Sequence, residues 1–301
     1  MRPHMCAVAL LAAVCQTAPV EEVGLLQTRG PKLPSECQLP PGGTWAEVRT
    51  NGASPFYMAV YKGEDLVSNS IRQNHNWAGM DATRYGEPGH AYDIGGNIGF
   101  YTFALAKRGW NVTSFEPMTA NAALFNASLC ANPDVRSKID LHQVGLGEAA
   151  AHCRLVSSTS NIGDGIVQCG TVTGTRAGYT VHDEFDVHVL DDQMTTSKFA
   201  QQKVDFVKID VEGFECHVFR GAAKLLAQRP RLILTEVWKK LNGCTRGEYL
   251  KLFTKAQYKI YLDEACSNEV APEVAAAHGQ ADNYFLCHQN AAQRIAPRAA
   301  N

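Results

Sequence analysis

The chain has 301 residues, a formal net charge of −2 and 45% hydrophobic residues. This is an ordinary globular make-up, with room for one large α/β domain and a decorated N-terminus. The near-neutral balance, with no basic run, argues against nucleic acid as a main partner, because phosphate binding leaves a basic footprint.

The first residues, MRPHMCAVALLAAVCQTAPV, read as a secretory signal over residues 1–18. Arg2 supplies the positive start, Met5 to Cys15 the apolar stretch, and Ala18 a small residue for cleavage. The stretch is too short to cross a bilayer, so no stable membrane span is expected in the mature chain. A buried N-terminal segment is the alternative. Residues 19–44, rich in Pro, Gly and Glu, read as a linker. Residues 45–89 carry the clusters WAEV, PFYMAVY and DLVSNSI, which predict short strands and a helix, a cap segment beside the main domain. That domain is expected over 90–290, followed by a tail over 291–301.

From residue 90 the pattern becomes regular. HAYDI predicts a strand. IGFYTFALAKR has apolar residues at 98, 101 and 105, a helical spacing, and Gly109 sits where a helix stops. WNVTSF predicts a second strand and ANAALFNASLCA a helix closed by Asn132-Pro133. IDLHQV is a third strand. Residues 147–190, rich in Gly, Ser and Thr, read as a β-rich excursion over the site. VDFVKID is a fourth strand, EGFECHVFRGAAKLLAQ one helix, RLILTEV a fifth strand, TRGEYLKLFTKAQ a helix, YKIYLD a sixth strand and NYFLCH the last. Strands and helices alternating in this way predict a parallel sheet covered on both faces.

Ten cysteines show no C-x-x-C pair, and a zinc site is not expected. Cys6 and Cys15 fall in the signal. The other eight are free to form disulfides in an oxidising lumen, with a connectivity that spacing does not give. Asn111-Val-Thr113 and Asn126-Ala-Ser128 match the glycosylation acceptor but fall inside predicted regular structure, and read as chance matches.

Three motifs carry chemistry. The turn after the first strand, YDIGGNIG, stands where open α/β sheets bind ligands. A dinucleotide fingerprint would place Gly at 95, 97 and 100, but the chain has Gly95, Asn97 and Phe100, so the glycine that admits a pyrophosphate is missing. Asp93 would repel a pyrophosphate and attract a cation. S-adenosylmethionine, with an ammonium, a sulfonium and no phosphate, fits better; a purely structural turn is the plain alternative. Glu116 follows the second strand, 23 residues after Asp93, where a carboxylate can accept hydrogen bonds from both ribose hydroxyls. Finally, Lys208 and Asp210 interrupt an apolar central strand, and Glu212 follows. Charges inside a covered strand are costly unless paired, so they form either a structural ion pair or part of a ligand crevice.

YDIGGNIGFYTFALAKRG, FEP, DFVKIDVEGFE, RGA and LILTEV together resemble the FkbM family of S-adenosylmethionine-dependent methyltransferases, over roughly residues 90–240 and more loosely to 288; KIDVEG is the most specific piece. The resemblance implies a Rossmann-like, seven-stranded class I methyltransferase sheet, mostly parallel with an antiparallel last strand. It also implies O-methylation of a hydroxyl on a sugar, glycan or other small metabolite. On this resemblance Asp93, Gly95, Asn97 and Gly99 belong to the cofactor loop and Glu116 to the ribose position. Lys208, Asp210, Glu212 and Gly213 belong to the strand-four motif. Gly96 departs mildly, since Ala is common there. The reaction would be an in-line displacement that the protein mainly aligns. Asp210 and Glu212 are the candidate bases and Lys208 their partner. His217 reads as a helix-face residue, and Glu236 with Asp210 is too small a set for a metal. An NAD-dependent oxidoreductase and a non-catalytic module that only binds the methyl donor are the rival functions.

Overall fold

The computed structural model describes residues 35–158, 161–170, 177–277 and 282–289. The expected signal and tail lie outside the described residues. Strands β1 (Gly43–Val48) and β2 (Phe56–Tyr61) form an antiparallel hairpin, followed by helix α1 (Leu66–Asn74). The main fold then runs β3 (His90–Ile94), α2 (Phe100–Arg108), β4 (Asn111–Phe115), α3 (Thr119–Ala131) and β5 (Ile139–His142). A second group follows: β6 (Gly145–Gly147), β7 (Ala151–Ser158), β8 (Asn161–Cys169), β9 (Tyr179–Val189) and the short α4 (Leu190–Gln193). The chain returns through β10 (Val204–Ile209), α5 (Glu215–Arg220), α6 (Ala223–Gln228), β11 (Leu232–Val237), α7 (Arg246–Lys255) and β12 (Tyr258–Tyr261). It closes with β13 (Glu269–Val270), α8 (Pro272–Ala277) and β14 (Asp282–His288).

The large sheet has the order β13-β12-β14-β11-β10-β3-β4-β5. β3, β4, β5, β10 and β11 are parallel, and β14 runs antiparallel to both β11 and β12. The seven expected strands are therefore present with the last one reversed, and the two-residue β13 adds an edge that its short sequence does not announce. Alternation along the strands splits the core in two. Ala91, Val112, Phe206 and Leu232 pack with Phe103 and Leu105 of α2, Phe125 of α3 and Phe56 of β2. Tyr92, Val207, Ile209 and Ile233 pack with Phe219 of α5 and Tyr249 and Phe253 of α7. Period-two alternation puts neighbouring residues on opposite faces, so a strand covered on both sides is apolar throughout.

The N-terminal hairpin is built onto this core. Ser128 Oγ accepts from Ala59 N (2.9 Å), Asn132 Nδ2 donates to Tyr57 O (2.7 Å), and Tyr61 Oη donates to Asn121 Oδ1 (2.7 Å). Cys37 is bonded to Cys130 of α3. The described end of the 19–44 segment is thus tied into the fold. The remaining disulfides join Cys153–Cys169, Cys216–Cys244 and Cys266–Cys287, so every cysteine from Cys37 onward is paired.

The single helix expected over 212–228 is two helices, broken at Gly221. A Cβ on Gly221 would lie 2.2 Å from Gly147 O, so only glycine fits where β6 approaches this junction. Asp191 then accepts from Lys224 N (2.8 Å) and Leu225 N (3.2 Å). A side chain remote in sequence thereby satisfies the orphan donors that a new helix start creates.

The 147–190 excursion forms a sheet of its own, in the order β6-β9-β7-β8. Cys153, Leu155, Phe185 and Val187 make its apolar side, and Met118 packs against them.

Candidate functional site

The turn after β3 is held by three left-handed residues: Gly95 (φ +77°), Asn97 (φ +50°) and Gly99 (φ +95°). Glycine is obligatory at 95, where a Cβ would sit 1.8 Å from Asp210 O. Gly99 is the N-cap of α2, whose first N–H groups open toward the strand ends. Asn97 Oδ1 accepts from Ile98 N (2.7 Å), a local bond of the kind that lets Asn adopt this backbone.

Lys208 ties this turn to β10. The parallel register sets Lys208 beside Asp93. Its Nζ donates to Gly95 O (2.8 Å) and lies 3.7 Å from Asp93 Oδ1 and 3.6 Å from Asp210 Oδ2. Burial works against the ammonium, but Asp210 and Asp93 overcome it and hold Lys208 protonated, above its ordinary value. Asp93 is 0% exposed, and its Oδ2 accepts from Thr102 Oγ1 (2.6 Å). The expectation that Asp93 meets a cationic ligand directly needs correction. Its carboxyl presents no surface, so whatever it contributes to a ligand passes through the turn that it and Lys208 hold.

Glu116 ends β4 against the same turn. Its Oε2 accepts from Asn97 N (2.8 Å), and its Oε1 accepts from Met118 N (2.9 Å) and Asn121 Nδ2 (3.1 Å). Burial raises its carboxyl above the usual range, against the pull of these donors. Glu116 therefore fastens the turn to the start of α3 in addition to any ligand it receives.

Beyond Lys208, the strand ends gather carboxylates. Asp210 keeps 39% of its side-chain surface. Val211, Glu212 and Gly213 form a tight turn with Glu212 at φ +54° and Gly213 at φ +90°. Glu212 is pushed up to about 8 by burial and by the charges of Asp210, Glu236 and Glu215, although its side chain remains open to solvent, which screens part of this effect. Glu236, at the end of β11, is pushed up to about 7 by burial and by Asp210, and accepts from Trp238 Nε1 (3.1 Å). Glu215 was not singled out in the sequence, yet it is fully buried. Its Oε1 accepts from Val211 N (3.1 Å) and Gly213 N (3.3 Å), which shapes the turn, and burial pushes it up to about 7. A glutamate amid FECHVF, an otherwise apolar helix start, was the available signal. Among the described residues no group of three or more His, Cys, Asp or Glu side chains could hold a metal ion. His217 stands apart, with Nδ1 2.9 Å from Glu148 Oε1 and its ring stacked on Phe214.

A small apolar cleft lies between Phe115, Pro117 and Val211 on the large sheet and Val167, Phe185 and Val187 on the small one. The 147–190 excursion does cover the strand ends. The site residues named from sequence thus meet at one place, the carboxyl ends of β3, β4 and β10.

Seven strands in the order β5-β4-β3-β10-β11-β14-β12, with β14 reversed and a glycine turn after β3, define the class I methyltransferase fold. More particularly, residues 93–260 match the family description "Methyltransferase FkbM domain", and the chain belongs to that family. No curated protein sequence matches it. Among solved structures it is similar to the methyltransferase FkbM of Methylobacillus flagellatus KT (18% identity, TM-score 0.43, covering 66% of this chain and 44% of that one). It is also similar to a putative SAM-dependent methyltransferase of Streptococcus mutans (15%, TM-score 0.40, 83% and 56%). A third is the tRNA (uracil-54, C5)-methyltransferase of Pyrococcus abyssi (12%, TM-score 0.36, 81% and 43%). The chain spans less than half the length of the first of these.

Proposed function

We propose that the protein is an S-adenosylmethionine-dependent methyltransferase that acts on a hydroxyl of a sugar, glycan or other small metabolite. The observation that carries this reading is the turn itself. Gly95, Asn97 and Gly99 bring backbone up to Glu116, and an apolar cleft lined by Gly95, Phe115 and Pro117 opens next to the turn. A carboxylate held at this turn, with an apolar slot that reaches Gly95, suits a ribose and a flat base. The slot's lining has no Lys or Arg, and Lys208 is buried and spent on Gly95, Asp93 and Asp210, which suits a nucleoside without phosphate. Gly95, Asn97, Gly99 and Glu116 would hold the cofactor, which supplies an activated methyl group. Asp210 and Glu212 border the strand ends on the far side of Lys208. A carboxylate there can orient an acceptor hydroxyl and take its proton at Oδ or Oε, and this supports oxygen as the acceptor atom. Four disulfides suit an oxidising compartment, in keeping with entry into the secretory pathway through the N-terminal signal.

Calorimetry with S-adenosylmethionine and with NAD, followed by incubation with labelled methyl donor and a panel of sugars, tests the reading. Binding of the methyl donor alone, with label transferred to a hydroxyl, is expected. Tight NAD binding without methyl-donor binding would overturn the cofactor, and donor binding without transfer to any acceptor would point to the non-catalytic module.

A further inference from the structure

Helix α3 has 13 residues starting at Thr119, and its N-cap Met118 makes no side-chain cap. A helix of this length leaves its first N–H groups without partners, and a carboxylate or hydroxyl at the cap normally receives them. Here Glu116, just ahead of the helix, and Asp183, from a distant strand, do so. Glu116 Oε1 accepts from Met118 N (2.9 Å), and Asp183 Oδ2 accepts from Thr119 N (2.5 Å). Asp183 belongs to β9 of the small sheet, 64 residues away in sequence. Its other oxygen accepts from Glu184 N (2.9 Å), which fixes the carboxylate toward α3. The Met118 side chain packs into the apolar side of the small sheet, beside Phe185 and Val187. These same two residues, with Val167, form the outer wall of the cleft.

We propose that the small sheet is a flap over the cofactor cleft and that Asp183 is its latch, a positioning residue that sets how long the cofactor stays bound. The inference rests on the cofactor reading above. Opening the flap strips Thr119 N of its acceptor, uncovers Met118 and removes the Phe185–Val187 wall in one movement. Closing it restores the cap of the helix whose adjacent N–H is held by Glu116, the ribose candidate. Flap closure and cofactor retention are thereby joined through the first turn of α3.

The test compares wild type, Asp183→Ala and Asp183→Asn with S-adenosylhomocysteine as the probe, measuring dissociation rates by stopped flow. Loss of a helix cap costs roughly a factor of five in an equilibrium constant, and Asn caps about as well as Asp. Asp183→Ala should release the probe about fivefold faster, while Asp183→Asn stays near wild type. Thr245→Ala, which removes the cap of α7, serves as the stability control and should leave release unchanged. In the ligand-free chain, hydrogen exchange of β7, β9 and the first turn of α3 should quicken in Asp183→Ala. Wild-type release by Asp183→Ala, faster release in Thr245→Ala of the same size, or unchanged exchange would each overturn the latch. Failure of wild type to bind S-adenosylmethionine or its product would instead overturn the cofactor reading, and the exchange experiment would still decide the latch itself.

Discussion

Replacing Lys208 by Met keeps the length of the side chain and removes its charge. In the native protein the ammonium donates to Gly95 O at 2.8 Å and stands 3.7 Å from Asp93, which is 0% exposed. The variant leaves Asp93 with Thr102 as its one hydrogen-bonding partner and leaves Gly95 O without this donor. Breaking a buried pair by removing one partner costs about 3–5 kcal/mol, a large share of the roughly 5–15 kcal/mol that a domain of this kind has. Burial already pushes the Asp93 carboxyl up, and Lys208 opposes that push; without it the carboxyl rises further. An acid whose folded pKa lies above its unfolded value binds more protons when folded, so its protonated form favours the fold at low pH. That advantage is lost as pH rises from the unfolded value through the folded one. Urea unfolding of Lys208→Met should therefore show a stability that falls more steeply than that of wild type as pH rises above the ordinary aspartate range. The double variant Asp93→Asn/Lys208→Met should recover at least half of the loss, because the two sites are coupled. A loss under about 1 kcal/mol at pH 7, or a pH slope equal to that of wild type, would refute the account of Lys208 as the charge that keeps Asp93 and the turn in place.

Glu116→Ala should weaken S-adenosylmethionine binding by about 1.5–3 kcal/mol, the worth of hydrogen bonds to a charged group; an unchanged dissociation constant in calorimetry would give the carboxylate to the turn alone. Asp210→Asn or Glu212→Gln should keep cofactor affinity while single-turnover rates fall by roughly 10²–10⁴; a lower melting temperature with intact turnover of the folded fraction would make the pair structural. Because burial and the charges of Asp210, Glu236 and Glu215 raise the Glu212 carboxyl, with solvent screening part of the effect, a base at this position ionises only above the ordinary glutamate range. Turnover should climb as pH rises above that range, and Glu212→Gln should flatten the profile. Cys37→Ser/Cys130→Ser opens a link spanning 93 residues and should cost about 4.6 kcal/mol on loop-entropy grounds, read as a lower urea midpoint that reductant no longer shifts.

The amino-acid sequence by itself determined seven of the eight strands of the large sheet and most of its helices, because apolar runs of strand length and apolar spacing of helical period reflect only which faces are covered. It also marked the turn at Gly95–Gly99, where a left-handed backbone demands particular residues, and it marked Lys208, Asp210 and Glu212 as charges out of place in an apolar strand. What those charges touch was decided by tertiary structure. Asp93 stands in sequence like a ligand contact, but its register opposite Lys208 and the position of Thr102 one helix away turn it inward. The need for glycine at 221 follows from the backbone of β6, a contact that no local pattern encodes. The starts of α3 and α6 lack capping residues in their own sequence and take Asp183 and Asp191 from segments distant along the chain. Local patterns record burial and backbone conformation, whereas hydrogen-bond partners and ion pairs come from distant segments that meet only when the sheet is assembled.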